Sequence, residues 1–135
     1  MRFLHAADLH LDSPLRGLDR YEGAPVDEVR GATRRAFESL IAVARRERVD
    51  LVVIAGDLYD GDWPDYNTGL FFIKGVAQLA EEGIPVAIVR GNHDAASRLT
   101  KALRLPANVH QFADASPETK PFADIGIAVH GQSFA

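Results

Sequence analysis

Three short polar motifs in this 135-residue sequence each follow an apolar run, and together they supply carboxylate, imidazole and amide groups. The motifs are Asp8-Leu9-His10, Gly56-Asp57 and Gly91-Asn92-His93-Asp94. Such a ligand set suits Mn²⁺, Fe²⁺ or Zn²⁺ rather than copper or an iron–sulfur cluster. A carboxylate between two cations can bridge them, and paired cations stabilise the attacking and leaving oxygens of phosphoryl transfer. The three motifs together therefore indicate metal-dependent phosphoester chemistry.

Each motif taken alone has a simpler interpretation. An Asp-x-His sequence is usually a capped turn, and Gly-Asp after a strand is usually turn chemistry. Asn92-His93-Asp94 also suits the cap of a helix that follows it. The joint occurrence of the three motifs, in this order and each after its own strand, favours a common metal site over three unrelated turns.

The elements that must position these motifs follow from the apolar pattern. Apolar runs at 2–7, 51–55 and 85–90 predict strands, and helical spacing over 26–48 and 70–80 predicts two helices, the second ending at Gly83. The order β-α-β-α-β predicts an α/β fold with a mainly parallel sheet flanked by helices. In such sheets ligands collect at the carboxyl ends of the strands, where all three motifs stand.

The remaining segments are less regular. Residues 11–25 and 61–66 have the Gly, Pro and Asp content of loops. Residues 109–112 and 126–131 predict further strands, and 117–122 is expected to be a connector between them.

The composition excludes several classes of protein. The chain has no cysteine, which rules out disulfides and thiolate metal sites. Its net charge of −4 differs from that of a strongly basic nucleic-acid binder, so any binding to DNA would depend on a local site. With 47% apolar and 25% charged residues and no apolar run long enough for a membrane span, the sequence predicts a soluble domain with no membrane contact. We expect a cytoplasmic location, because there is no sign of a signal peptide.

The motifs resemble those of the calcineurin-like metallophosphoesterases, which carry Asp-x-His, Gly-Asp-x-x-Asp and Gly-Asn-His-Asp/Glu. Here these are Asp8-Leu9-His10, Gly56-Asp57-Leu58-Tyr59-Asp60 and Gly91-Asn92-His93-Asp94. The opening 5–15 (HAADLHLDSPL) is similar to SbcD-like DNA repair exonucleases, particularly the YhaO-like subgroup. The second motif lacks the Arg-Gly that follows it in protein phosphatases. The resemblance implies a truncated metallophosphoesterase α/β sandwich.

The resemblance also implies a role for each motif residue. Asp8 and His10 would hold the first metal, Asp57 would bridge two metals, and Asn92 would bind the second. His93 would face the phosphate and the leaving group, with Asp94 orienting its ring. The implied cofactors are two divalent ions, most often Mn²⁺. No substrate-binding residue is identified.

The histidines outside these motifs depart from the family pattern. The family adds three further histidines, two of them in Gly-His-x-His, whereas after His93 this chain has only His110 and His130. We expect His130 to be a strand residue and His110 to be a surface or strand residue, neither of them a ligand, and His5 to be buried in the first strand. The resemblance then implies that residues 1–135 are the N-terminal portion of a single catalytic domain with an incomplete second metal site. Such a chain would be weakly active or inactive alone.

The resemblance further implies DNA as substrate and a coiled-coil ATPase as partner. An exposed apolar surface is expected where the rest of the domain would pack, with a homodimer as one consequence. Alternatives are a phosphatase or phosphodiesterase for a non-nucleic-acid substrate, and a non-catalytic partner-binding fragment. A phospho-receiver domain would need an acceptor Asp after the third strand, but that strand ends in Asn92-His93.

Other candidate contacts with nucleic acid have simpler interpretations. We interpret Arg45-Arg46-Glu47-Arg48 as a solvated helix end, since cations favour a helix C-terminus, rather than as a phosphate-binding group. Trp63 and Tyr66 either stack on a base or pack over the loop. Arg16 and Arg20 in the first long loop are candidate DNA contacts.

Overall fold

Four parallel strands form the central sheet of the computed structural model, which describes residues 1–13, 25–59, 66–95 and 104–135. The strands are β1 (Phe3–Ala6), β2 (Leu51–Ala55), β3 (Val86–Val89) and β4 (Val109–Gln111). Their order across the sheet is β1-β2-β3-β4, and each neighbouring pair is parallel. The predicted α/β fold with a parallel sheet is confirmed.

The helices are α1 (Val26–Arg46), α2 (Tyr66–Glu81) and the single turn α3 (Asn92–Ala95). α1 ends two residues before the predicted limit, and Arg48 beyond it has a left-handed backbone with φ of 48°. α2 begins at Tyr66, which the sequence pattern assigns to a loop, and Gly83 with φ of 70° follows its end as predicted. None of the helices in the described ranges has the length and apolar content that a bilayer crossing requires.

Both long helices pack on one face of the sheet. Every second residue of each strand faces the helices, because successive side chains of a strand point to opposite faces of the sheet. The fully buried core on this side includes Phe37 of α1 and Phe72 of α2, whose ring centroids lie 5.4 Å apart. Burying each such aromatic side chain contributes about 1.5–3 kcal/mol, so this face accounts for much of the fold's stability. The strand residues in this core are Val52, Ile54, Val86 and Ile88.

An antiparallel hairpin covers part of the other face. It consists of β5 (Glu118–Phe122) and β6 (Ile127–Gly131), joined by the short 3₁₀ helix Ala123–Ile125. The hairpin packs on Leu51, Ala87 and Phe112. The prediction of a connector over 117–122 was wrong. Only Phe122 of β5 joins the apolar cluster, so the strand is defined by its backbone pairing with β6 rather than by an apolar pattern.

The same face of β1 is not covered by any residue that the structure describes. Phe3 is 58% exposed and His5 is exposed, so the expectation of a buried His5 was wrong. The physical reason is position: β1 is the edge strand, and the hairpin packs over the other strands. Met1, at 72% exposure, adds to the apolar surface at this edge.

Glu118 fastens the hairpin to the end of β4. Its carboxylate accepts a hydrogen bond from the Ala113 N–H at 3.1 Å and is paired with the His110 ring. The Ala113 N–H, and then His110, hold the pKa of Glu118 below its ordinary value. The ionised form is therefore favoured by folding. Its contribution to stability is present above the unfolded pKa and lost as the pH falls through the lowered folded pKa.

We predict that His110→Leu raises the pKa of Glu118 only part of the way to its ordinary value, because the Ala113 N–H bond remains. An NMR titration of the Glu118 carboxyl carbon in both proteins measures this. An unchanged Glu118 pKa in His110→Leu would show that the histidine does not stabilise the ionised carboxylate.

Candidate metal centre

The loops that follow β1 and β2 run side by side. Their backbones continue the sheet's hydrogen bonding beyond the strands. The Asp8 N–H donates to the Gly56 carbonyl at 3.1 Å, the His10 N–H donates to the Asp57 carbonyl at 3.0 Å, and the Leu11 N–H donates to the next carbonyl at 2.9 Å. This pairing places Asp8-Leu9-His10 beside Asp57, as expected for motifs at neighbouring strand ends.

Three of the motif residues with metal-binding side chains share an uncommon backbone conformation. The φ angles of Asp8, His10 and Asp57 are 53°, 43° and 46°, in the left-handed region. Each non-glycine residue in this region costs about 1–2 kcal/mol. Such strain concentrates at functional sites, where the surrounding structure holds it in place.

The side chains of Asp8, His10 and Asp57 converge. Each offers one ligand atom, and these atoms all lie within 4.8 Å of one another. The Asp8 Oδ1 and His10 Nε2 atoms are 4.0 Å apart. Ligand atoms about 2.0–2.2 Å from one tetrahedral cation lie about 3.3–3.6 Å apart, so a small inward rotation of these side chains would bring their ligand atoms to one ion. Two carboxylates and an imidazole, one exposed and two half-buried, thus fit a divalent cation in both chemistry and spacing.

The third motif packs directly against Asp57. A Cβ atom built on Gly91 would lie 2.0 Å from Asp57 Oδ1 and 2.5 Å from the Asp57 backbone nitrogen, so only glycine fits here. The His93 N–H donates to Asp57 Oδ1 at 3.2 Å. The rings of His93 and His10 meet edge to face, with centroids 5.6 Å apart. The start of α3 therefore lies at the candidate metal centre, with the Asn92 and His93 side chains exposed.

Asp94 links the loop after β2 to the loop after β3 through hydrogen bonds of its side chain. Its side chain is buried, and its Oδ2 accepts hydrogen bonds from the N–H groups of Gly91 at 2.9 Å and Leu58 at 3.1 Å. Its Oδ1 accepts a hydrogen bond from the Tyr59 N–H at 2.8 Å. The resemblance assigns Asp94 to orienting the His93 ring. In the structure its carboxylate accepts hydrogen bonds from three backbone N–H groups of the loops. Nothing in the sequence pairs residue 94 with residues 58 and 59, so sequence reasoning missed these bonds.

The environment of Asp94 also changes its acidity. Burial raises the pKa of Asp94, and the three N–H bonds oppose this effect without cancelling it. The charge of Asp57 acts in the same direction as burial. Burial, aided by the negative charge of Asp94, raises the pKa of Tyr59 as well.

The remaining histidines lie elsewhere, as expected. His110 is in β4 and His130 is in β6, which confirms that both are strand residues. His130 Nδ1 is 2.8 Å from Thr119 Oγ1 on the paired strand. Within the described residues, neither belongs to the group formed by Asp8, His10 and Asp57.

The arginines at the end of α1 lie at the opposite end of the sheet from the motifs. Arg45 pairs with Glu82 at 2.5 Å and Arg46 pairs with Glu47 at 3.1 Å. Tyr66 is 51% exposed at the start of α2. The other sequence candidates, Arg16, Arg20, Asp60 and Trp63, lie outside the described residues.

Comparison with known proteins agrees with this geometry. The chain is 36% identical over 137 residues to the uncharacterized metallophosphoesterase YhaO of Bacillus subtilis, covering 99% of this chain and 34% of that protein. It is 31% identical to a subunit of the nuclease SbcCD from the same species, covering 90% of this chain and 29% of the relative. It is 28% identical to the DNA double-strand break repair protein Mre11 of Methanopyrus kandleri, covering 99% of this chain and 30% of the relative.

The chain therefore spans about a third of the length of each of these relatives. The regions matched to YhaO and to Mre11, each 99% of this chain, include all three motifs. The sequence model for calcineurin-like phosphoesterases matches residues 1–133, almost the whole chain. With its parallel sheet and its converging Asp8, His10 and Asp57, the chain belongs to the calcineurin-like phosphoesterase family.

Proposed function

We propose that this chain forms the N-terminal portion of a metal-dependent phosphodiesterase that acts on DNA as a repair exonuclease. The observation that carries the proposal is the convergence of Asp8, His10 and Asp57, whose ligand atoms lie within 4.8 Å of one another at the ends of β1 and β2. The names of two relatives, one a nuclease and the other a double-strand break repair protein, support DNA as the substrate.

The chain's own residues would divide the work as follows. Asp8 and His10 would hold the first divalent cation, and the Asp57 carboxylate would serve a second cation as well. Asn92, at the start of α3, would offer a side-chain oxygen to that second cation. Bound divalent cations lower the pKa of water and offset the charge that develops on a phosphate.

We assign His93 to proton chemistry rather than to cation binding. Its backbone is held by Asp57, and its exposed ring stands beside His10. From there a ring nitrogen can hydrogen-bond to the phosphate or give a proton to the departing oxygen. Asp94 keeps the second and third loops together, so it positions His93 through the backbone of α3.

The cation complement is also part of the proposal. We propose two divalent ions, with Mn²⁺ as the cation at both positions. Within the part of the chain that the structure describes, we assign two protein ligands, Asp57 and Asn92, to the second position, so that position needs further ligands. A loosely held second cation gives the 135-residue chain little activity of its own.

Partners follow from the same assignment. A coiled-coil ATPase would act on the DNA together with the nuclease. The exposed Met1 and Phe3 on the edge strand provide an apolar contact for a homodimer or for the remainder of the catalytic domain. Because the net charge is −4, DNA contact depends on a local site rather than on the overall charge.

The test is Mn²⁺-dependent hydrolysis of labelled double-stranded DNA. A longer chain that supplies further histidine ligands should digest the DNA, and the 135-residue chain should be at least about a hundredfold slower. Asp57→Asn should abolish the activity, whereas Asp124→Asn on the exposed 3₁₀ helix should not. Hydrolysis of a small phosphodiester without digestion of DNA would instead favour a non-nucleic-acid substrate.

A further inference from the structure

Asp12, two residues beyond His10, ties the first motif loop to both long helices. Its carboxylate accepts three hydrogen bonds from the Arg34 guanidinium of α1. The Nε group donates to Oδ1 at 2.8 Å and to Oδ2 at 3.0 Å, and Nη2 donates to Oδ2 at 2.5 Å. The Thr68 hydroxyl of α2 donates to Oδ2 at 2.6 Å. The Asp12 N–H in turn donates to Thr33 Oγ1 at 3.2 Å.

The partners of Asp12 are themselves held in place. Thr68 is buried, and the side chain of Asp12 is only 20% exposed. The Arg34 guanidinium also lies over the Phe71 ring, with its central carbon 4.9 Å from the ring centre, which adds a cation–π attraction. Two-point pairing of a guanidinium with a carboxylate is strongly directional. Asp12 therefore has a defined position relative to both helices.

The loop that precedes Asp12 needs such an anchor. Asp8, His10 and Asp12 all have left-handed backbones, with φ angles of 53°, 43° and 54°. Alternating strained residues persist only where the surrounding structure determines them. On one side the loop is hydrogen-bonded to the loop after β2, and Leu11 is completely buried. On its other side, the loop is held to α1 and α2 by the side chain of Asp12.

We propose that Asp12, held by Arg34 and Thr68, is a positioning residue that keeps Asp8 and His10 in the conformation that binds a cation. The effect of Asp12 on cation binding rests on the proposed function of the site. The effect of Asp12 on the conformation of the loop backbone does not depend on that proposal. The role belongs to the helices as well as to the loop, because Arg34 of α1 and Thr68 of α2 both bond to the Asp12 carboxylate.

The first experiment measures cation affinity in the 135-residue chain. Asp12→Asn keeps the shape of the side chain but loses its charge, and we expect Mn²⁺ affinity by calorimetry to fall about tenfold. The matched control is Glu82→Gln, which removes the charge of the Arg45–Glu82 pair at the other end of α1 and should leave Mn²⁺ affinity within about twofold. Thr68→Val should weaken binding and Thr68→Ser, which keeps the hydroxyl, should restore it.

The second experiment measures the loop without any cation. Amide hydrogen exchange followed by NMR should become about tenfold faster at Asp8, His10 and Leu11 in Asp12→Asn and stay unchanged there in Glu82→Gln. Unchanged exchange at these amides in both Asp12→Asn and Thr68→Val would overturn the positioning role. If the unaltered chain binds no Mn²⁺, the proposed function fails, while the exchange rates still decide whether Asp12 positions the loop. If Asp12→Asn does not fold, comparison of the exchange rates in Thr68→Val and Thr68→Ser decides whether the Asp12 contact positions the loop.

Discussion

Gly91→Ala should abolish cation binding and destabilise the fold by about 2–3 kcal/mol. The added methyl would overlap Asp57 Oδ1 and the Asp57 backbone nitrogen, at 2.0 and 2.5 Å. Relief of that overlap must move either the Asp57 side chain or the start of α3, and both lie at the candidate metal centre. Urea unfolding gives the change in the free energy of unfolding, and calorimetry with Mn²⁺ gives the change in affinity.

Gly83→Ala is the matched control for this prediction. Gly83 has a φ of 70°, but a Cβ there would meet no atom within 4 Å. The substitution should cost only the left-handed backbone penalty of about 1–2 kcal/mol and leave Mn²⁺ affinity unchanged. Normal Mn²⁺ affinity in Gly91→Ala would mean that the third loop does not pack on Asp57 as the structure shows.

The second large effect is expected at Asp94. Asp94→Ala removes the acceptor of three backbone N–H groups and should destabilise the fold by about 3–5 kcal/mol, because buried amides without partners are costly. The exposed Asp124→Ala, on the 3₁₀ helix, should change stability by no more than about 0.5 kcal/mol. Equal unfolding midpoints for the two variants in urea would contradict the assigned bonds.

The pH dependence gives an independent check on Asp94. Burial raises the pKa of Asp94 in the folded state, so the folded protein binds more protons than the unfolded chain between the ordinary and the raised pKa. Stability contributed by Asp94 is therefore greatest below its ordinary pKa and declines as the pH rises through the raised folded pKa. The stability difference between the unaltered protein and Asp94→Ala should shrink over that interval. A difference that grows with pH would mean that the N–H bonds outweigh burial.

Much of the fold is predictable because its signals are local. The runs at β2 and β3 are continuously apolar, as expected for strands covered on both faces, and α1 and α2 repeat their apolar residues at helical spacing. Once these strands are parallel, their carboxyl ends must meet. The grouping of Asp8, His10 and Asp57 then follows from the sequence.

What the sequence could not predict depends on contacts between distant residues. β5 carries Pro121 and few apolar side chains, so only its pairing with β6 reveals it. The exposure of His5 depends on which strands the hairpin covers. Asp94 and Asp12 are polar residues whose roles are set by partners 35 and 56 positions away, Tyr59 and Thr68. No periodic pattern links such positions.

The central claim, that Asp8, His10 and Asp57 form a divalent cation site, is tested most directly by titrating Mn²⁺ into the 135-residue chain in a calorimeter. We expect saturable binding of one Mn²⁺ per chain. Asp57→Asn should lower the affinity at least about a hundredfold, since it removes a charged ligand. His130→Ala, which alters a histidine of the hairpin outside the group, should leave the affinity unchanged. No saturable binding, or equal affinity in Asp57→Asn and the unaltered chain, would contradict the assignment.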